Sequence, residues 1–450
     1  MKNVSVAVGL ALLCVAVCAG CNRHFEVIRD IREIPQDHRN HINWMNAGRP
    51  LLGQEAQAVM QERYLRWFFA PWHQQESPYS REAVTGFFNR YLRLAGEGRE
   101  QGVRLRRMTR AMVRQAGLSS FPSLAQRAIT LRHTNMRGLP TGHSLPDIRN
   151  APLAPLRFDR LQISSIPPGT PVYVSHRSRD RLWCLAETGF AVGWLPTRDL
   201  ALADDAFFAQ WETGTYAAVI KDKKNIALPG GRHLDVSVGS LFPVVSEHPD
   251  SLKILTVRSD RKGHAVAVQT AVSRDIAVRT PLPLTPEYLA ALANEFVGEP
   301  YGWGGQEGWR DCSSMIRDLF TPFGIWLPRH SADQALEGGW FVDLVGKSRE
   351  EKQTAIITRG VPYLTLLWLK GHIMLYVGAS EGRLLVFHNF WSVRTTNLQG
   401  IRGKKIVGQT AITTLHPGRE FQPPGSSDGN LLDALQGMTL LVAPNFLVNR

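Results

Sequence analysis

The hydrophobic periodicity of this chain switches twice, and no single repeating architecture absorbs both switches. Up to about residue 150 apolar residues recur at three- and four-residue spacing. Val84, Phe87, Phe88, Tyr91 and Leu92 show it, and so does the stretch 55–69, which predicts helices. A Pro- and Asn-rich stretch, 139–155, follows as a linker or clip. From about 156 to 282 short alternating runs such as 170–174, 182–187 and 264–269 take over. Turn signals including Pro167-Pro168-Gly169 and Pro229-Gly230-Gly231 separate them. Strands this short predict small barrels, with room for two of roughly 60 residues each. From 283 the order is helix, then strands. Thr285 caps a helix that has Pro286 at its first position. A second helix is expected from Asp311 to Phe323, with Gly324 at its end, and strands at 372–377 and 383–388. At 450 residues the chain exceeds what one core supports, so the pattern reads as a multidomain α+β protein.

The first twenty residues read as an export signal. Lys2 precedes an apolar run, Val4–Val17, too short for a comfortable membrane span. The Ala19-Gly20-Cys21 ending resembles a bacterial lipoprotein box, which implies lipidation of Cys21; Cys18 stands where that box usually carries Leu. Ordinary cleavage and release is the alternative. The five cysteines are Cys14, Cys18, Cys21, Cys184 and Cys312, so only Cys184 and Cys312 remain in the body of an exported chain. Disulfides therefore do not hold it together; one Cys184–Cys312 bridge stays open as an alternative, and it would abolish a thiol nucleophile. The net charge of +13 is concentrated: 101–137 hold eight Arg and no acidic residue. That stretch is either a solvated helix face or a surface for polyanions, of which an anionic wall or membrane suits an exported protein. Neither zinc-finger spacing nor a basic zipper points to nucleic acid.

Asp311-Cys312-Ser313-Ser314 puts a cysteine in the first turn of a helix, with Asp311 as its N-cap. Unpaired N–H groups and the helix dipole there favour a thiolate, and the same N–H groups suit an oxyanion. A structural buried cysteine is the plain alternative. A thiolate also needs a base. His372 lies in one alternating run and His388 in the next. If 379–381 form a tight turn, residues whose numbers sum to 760 face each other, so His372 faces His388 with Cβ atoms about 5 Å apart. His372 then serves as base and His388 orients its ring. A slip of one residue would send His388 to the other face.

Tyr301-x-Trp303-Gly304-Gly305, Asp311-Cys312-Ser313, Leu327-Pro328-Arg329 with Gln334, and Gly371-His372-Ile373 with Tyr376-x-Gly378 resemble the NlpC/p60 cysteine peptidases, in the family's order, over residues 296–405. The resemblance implies a papain-like α+β domain and a triad of Cys312, His372 and His388. It further implies that Tyr301 lines the site, and that Asp311 and Ser313 help bind substrate. Upstream, Leu182-Trp183-Cys184-Leu185 with Gly193-Trp194-Leu195-Pro196 resembles the end of a bacterial SH3-like barrel, with Cys184 in its core. Ile129–Thr134 with Arg137-Gly138-Leu139-Pro140 resembles a clip-like N-terminal region of one branch. The implied plan is signal peptide 1–20, helical and clip-like region 21–150, SH3-like barrels 151–212 and 213–282, peptidase 283–420, and a C-terminal tail 421–450.

The branch implies hydrolysis of the γ-D-glutamyl–diamino acid bond in murein peptides, with no cofactor and no metal. The histidines lack zinc-ligand spacing and there is no His-Glu-x-x-His. The implied setting is the cell envelope, with murein or peptidoglycan as partner and a membrane reached through the lipid on Cys21. Two rivals stay open: a non-enzymatic wall-binding adaptor, and a thiol hydrolase acting on another amide or acyl substrate.

Overall fold

The computed structural model describes residues 27–94, 100–145, 158–397 and 399–447. The export signal, Cys21 and residues 146–155 of the expected linker lie outside them. After short turns at 29–46, three helices follow: α1 (Gln54–His73), α2 (Arg81–Leu94) and α3 (Glu100–Ala116). Val84, Phe88 and Tyr91 recur every three to four residues on α2, and that stripe packs with Met112 of α3 against Leu185 and Trp194. α1 drives Tyr64, Phe68, Phe69 and Trp72 into a separate core, and the Trp72 indole N–H donates to the Ala128 carbonyl at 2.8 Å.

The first β module has seven strands: β1 (Gln126–Thr130), β2 (Thr134–Arg137), β3 (Gln162–Ile166), β4 (Pro171–Arg177), β5 (Trp183–Glu187), β6 (Val192–Pro196) and β7 (Leu200–Leu202). Their order is β3-β2-β6-β5-β4-β1-β7. The expected boundary at 151 is therefore corrected. β1 pairs with β4 and β7, and β2 with β3 and β6, so this module takes two strands from the stretch read as helical and clip-like. Ala128, Ile129 and Met136 are fully buried there. Cys184 is buried in this module, as the barrel resemblance implied.

The second β module holds β8 (Tyr216–Val219), β9 (Lys224–Leu228), β10 (Arg232–Val236), β11 (Leu241–Glu247), β12 (Ser251–Ser259), β13 (Ala265–Ser273) and β14 (Ala277–Arg279). Five form a sheet in the order β13-β12-β11-β8-β14, and β9 pairs with β10 as a hairpin.

The C-terminal domain begins with α4 (Pro286–Asn294), capped by the Thr285 hydroxyl, which accepts from the Tyr288 N–H. α5 (Cys312–Phe320) and a 3₁₀ turn end at Gly324, whose φ of 73° needs glycine. The sheet comprises β15 (Trp340–Asp343), β16 (Thr365–Leu369), β17 (His372–Ser380), β18 (Arg383–Thr396), β19 (Arg402–Thr414) and β20 (Leu435–Leu440), ordered β15-β20-β16-β17-β18-β19. The expected tail is corrected here: β20 is an interior strand between β15 and β16. Met315, Ile316, Leu319 and Phe320 of α5 pack on Ile373, Leu375 and Phe387 of the sheet. Each such side chain contributes roughly 1.5–3 kcal/mol by leaving water, which fixes the helix against β17. Among the described residues no helix is long and apolar enough to cross a membrane.

Candidate active site

Cys312 opens α5, and Asp311 caps it in a reciprocal capping box. Asp311 Oδ1 accepts from the Ser314 N–H at 2.9 Å, and the Ser314 hydroxyl accepts from the Asp311 N–H at 2.9 Å. Both cysteines of the described chain are free thiols. The Cys312 thiol lies near the backbone N–H groups of Ile373 and Ser313, which puts it at the start of β17, one residue from His372. It is not hydrogen-bonded to the His372 ring.

The two histidines do meet: His372 Nε2 lies 2.8 Å from His388 Nδ1. The route differs from the expected register. The hairpin turn is Glu381-Gly382, with φ of 50° and 74°, between the paired Ser380 and Arg383. That register alone would put His388 on the opposite face from His372. A bulge at Val377 restores the parity, so that Leu375 faces Phe387 and the histidines become diagonal neighbours on one face.

The hydrogen-bond network assigns the tautomers. Thr413 Oγ1 donates to the Thr414 carbonyl at 2.8 Å, so toward His388 Nε2, 3.0 Å away, it accepts. His388 therefore carries its proton on Nε2, and its Nδ1 accepts from His372 Nε2–H. This leaves the His372 Nδ1 lone pair free for a proton. Phe390 stacks on the His388 ring at 4.1 Å and 10°.

Charge at the site departs from the thiolate expected of a helix start. Burial, with the Asp311 carboxylate second, pushes the Cys312 thiol up to about 12. Burial lowers His372 to about 4, with Asp311 acting the other way. Burial also holds His388 well below its usual range, with His372 adding to it. The resting site is an uncharged thiol beside neutral imidazoles.

Asp311 and Ser313 line the cleft, but the expected role of Asp311 as a substrate ligand is corrected, because its oxygens are already committed. The buried Arg329 guanidinium reaches Oδ1 at 3.1 Å and Oδ2 at 2.6 Å, and the Gly304 N–H reaches Oδ2 at 3.1 Å. Burial would raise the Asp311 carboxyl, but Arg329 outweighs it and holds the group at about 2. The Ser313 hydroxyl donates to Asp311 Oδ1 and accepts from Arg329. Arg329 also reaches Ser164 Oγ of β3 at 2.9 Å, tying the first β module to the nucleophile's cap. The sequence placed Arg329 in a motif without giving it this role; its signal was a Leu-Pro-Arg run beside an otherwise uncompensated Asp311.

Gly304 and Gly305 have φ of 61° and 84°, and a Cβ on either would fall within 3 Å of Gln162 or Ser165 atoms of β3. Glycine is required there because two domains touch backbone to backbone. The resulting cleft, about 750 Å³, is lined by Trp67 and Tyr91 of the helices, Glu187 and Phe190 of the first β module, and Tyr301 and Cys312. Tyr301 is among the residues that line this cleft. Burial, then the nearby Cys312, keeps its phenol protonated. Glu187 is buried, takes the Ser77 hydroxyl on Oε1 at 2.7 Å, and leaves Oε2 unpartnered.

Comparison with known proteins agrees with this layout. Residues 298–401 match the NlpC/P60 family, 152–196 an SH3 domain of the SH3b1 type, and 7–121 an N-terminal NLPC_P60 stabilising domain. The chain is similar to an NlpC/P60 endopeptidase from Photobacterium damselae subsp. piscicida, at 25% identity and a TM-score of 0.79, over 92% of this chain and 98% of that one. It is 26% identical over 150 residues to a gamma-D-glutamyl-L-lysine dipeptidyl-peptidase of Bacillus cereus (strain ATCC 10987 / NRS 248). That match covers 32% of this chain and only 44% of the relative's length.

Proposed function

We propose that the protein is a cysteine peptidase that hydrolyses the γ-D-glutamyl–diamino acid amide bond of murein peptides, a reading supported by the match of residues 298–401 to the NlpC/P60 family. The observation that carries the reading is the proton line from Thr413 through His388 to a free His372 Nδ1, beside the strand whose Ile373 N–H lies near the Cys312 thiol. The dipeptidyl-peptidase of Bacillus cereus supports the choice of bond.

His372 Nδ1 takes the thiol proton as Cys312 Sγ attacks the γ-carbonyl carbon of D-glutamate. With a neutral resting pair, proton transfer accompanies attack rather than preceding it. Backbone N–H groups beside Cys312 and the protonated Tyr301 phenol hold the oxyanion. The imidazolium gives its proton to the leaving amine, and a thioester remains. Water, deprotonated by His372, hydrolyses it and regenerates the thiol. Walls contributed by α1, α2 and the first β module suit a short free peptide better than a cross-linked strand. The same reading places the protein in the cell envelope, exported and anchored by a lipid on Cys21, which a Cys21→Ser variant that loses fatty-acid labelling would support.

The test is incubation with purified murein tripeptide and tetrapeptide and with intact sacculi, beside Cys312→Ala. Product masses corresponding to cleavage after γ-D-glutamate in the free peptides, absent from the variant, are expected. Binding without product, or equal product from Cys312→Ala, overturns the proposal.

A further inference from the structure

None of the residues lining the cleft comes from the second β module. That module nevertheless bonds the side chain of Arg310, two residues before Cys312. Arg310 immediately precedes Asp311 and Cys312, is 4% exposed, and uses every N–H of its guanidinium. Nη1 and Nη2 bond the two oxygens of Asp222, in the loop after β8, at 3.0 and 2.7 Å. Nη2 also bonds the Val238 carbonyl before β11 at 3.0 Å. Nη1 reaches Glu299 at 3.0 Å, and Nε reaches Asp318 of α5 at 2.7 Å. The flat face lies 4.3 Å over Phe296. Exposed Lys223 on Glu299 and buried Arg317 on Asp318 complete the cluster, three cations against three carboxylates.

The backbone of the same residue organises the catalytic loop. The Arg310 carbonyl accepts from the Gly302 N–H, next to Tyr301, and from Asn389 Nδ2, next to His388, both at 2.9 Å. One residue thus joins the second β module, the Tyr301 loop, the His388 strand and the start of α5. Packing alone needs no such convergence. A buried ion pair is weak evidence of added stability, and misplacing a reacting group by about 1 Å costs about a hundredfold in rate.

We propose that Arg310 is a positioning residue through which the second β module, by Asp222, sets the placement of Cys312 relative to His372. The kinetic arm of its test rests on the hydrolase reading; the thiol-reactivity arm does not. The experiment compares Asp222→Asn, Arg310→Lys and Arg310→Met with Lys352→Met. Lys352 is an equally buried cation that holds the Leu432, Asp433 and Leu435 carbonyls away from the cleft. For each folded variant kcat, KM and the rate of Cys312 alkylation by iodoacetamide are measured.

Asp222→Asn is expected to lower kcat about tenfold with KM unchanged, and to slow alkylation in proportion. Arg310→Lys should keep more of both than Arg310→Met. Lys352→Met should lower Tm without changing either rate per folded molecule. Should Arg310→Met not fold, Asp222→Asn decides alone. Unchanged kcat and alkylation in Asp222→Asn, or losses that Lys352→Met reproduces at equal Tm, overturn the proposal. If the wild type cleaves no murein peptide while alkylation still slows in Asp222→Asn, the substrate reading fails and the positioning role stands.

Discussion

Thr413 controls the tautomer of the whole site, and Thr413→Val separates that role from packing. Both residues are β-branched and similar in volume, and Thr413 is fully buried, so the change removes the acceptor of His388, together with the hydroxyl's bond to the Thr414 carbonyl, with little change of shape. Without Oγ1 the His388 Nε2–H has no partner at 3.0 Å. Leaving a buried donor unsatisfied costs about 1–3 kcal/mol. His388 avoids that cost only by moving its proton to Nδ1. That proton would then face His372 Nε2–H across 2.8 Å, so His372 must carry its own proton on Nδ1 instead. The lone pair that accepts the thiol proton is then gone. Either way the reactive arrangement lies about 1–3 kcal/mol above a competing one, which is a loss in kcat of about 5- to 150-fold. Steady-state kinetics on a murein tripeptide should show this loss with KM nearly unchanged, and Thr413→Ser, which keeps the hydroxyl, should recover most of it. A folded Thr413→Val with full kcat would refute the tautomer assignment.

The pH profile should show the same neutral base. Activity needs His372 unprotonated, so kcat/KM is expected to hold through neutral pH and fall as pH drops through about 4, not near the ordinary histidine value; an acid limb near 6.5 would contradict a buried neutral imidazole. Stability follows the same sign. A folded value below the unfolded one means the His372 contribution is present above about 6.5 and is lost between there and about 4, a change on the order of 3 kcal/mol readable by urea titration at several pH values. Gly305→Ala places a Cβ 2.6 Å from the Ser165 nitrogen at a φ of 84°, so it should loosen the first β module and raise KM; unchanged KM would show that this contact does not shape the cleft. Truncation after residue 420 deletes β20 from the middle of the C-terminal sheet, and circular dichroism should show loss of cooperative folding rather than a trimmed tail.

Local signals were legible in the sequence, and long-range ones were not. Thr285-Pro286, Asp311 and Gly324 marked helix ends because caps and left-handed turns impose their own residue types. The helix start at Cys312 and the meeting of His372 with His388 were legible because a capped helix start and paired strand histidines leave a pattern. The register between those histidines was not. A bulge at Val377 changes parity without a residue type that announces it, and an error in turn length was cancelled by that bulge. The clip-like stretch that holds β1 and β2 did not read as part of a barrel because most of their partners lie across an intervening linker, and β20 was not legible because Leu435–Leu440 does not alternate: it is buried on both faces. The neutral Cys312 was hidden for a further reason. A helix start favours an anion, but the sequence does not show that the same thiol is buried, which raises it most, or that the Asp311 carboxylate beside it raises it further.

The most direct test is acid-quench mass spectrometry of the enzyme mixed with murein tripeptide. Transient acylation of Cys312 by the L-Ala-γ-D-Glu unit, decaying as free dipeptide appears and absent from Cys312→Ala, is the expected result. Turnover of the tripeptide with Cys312 never acylated, or with the cysteine absent, would contradict a thioester route through this sulfur.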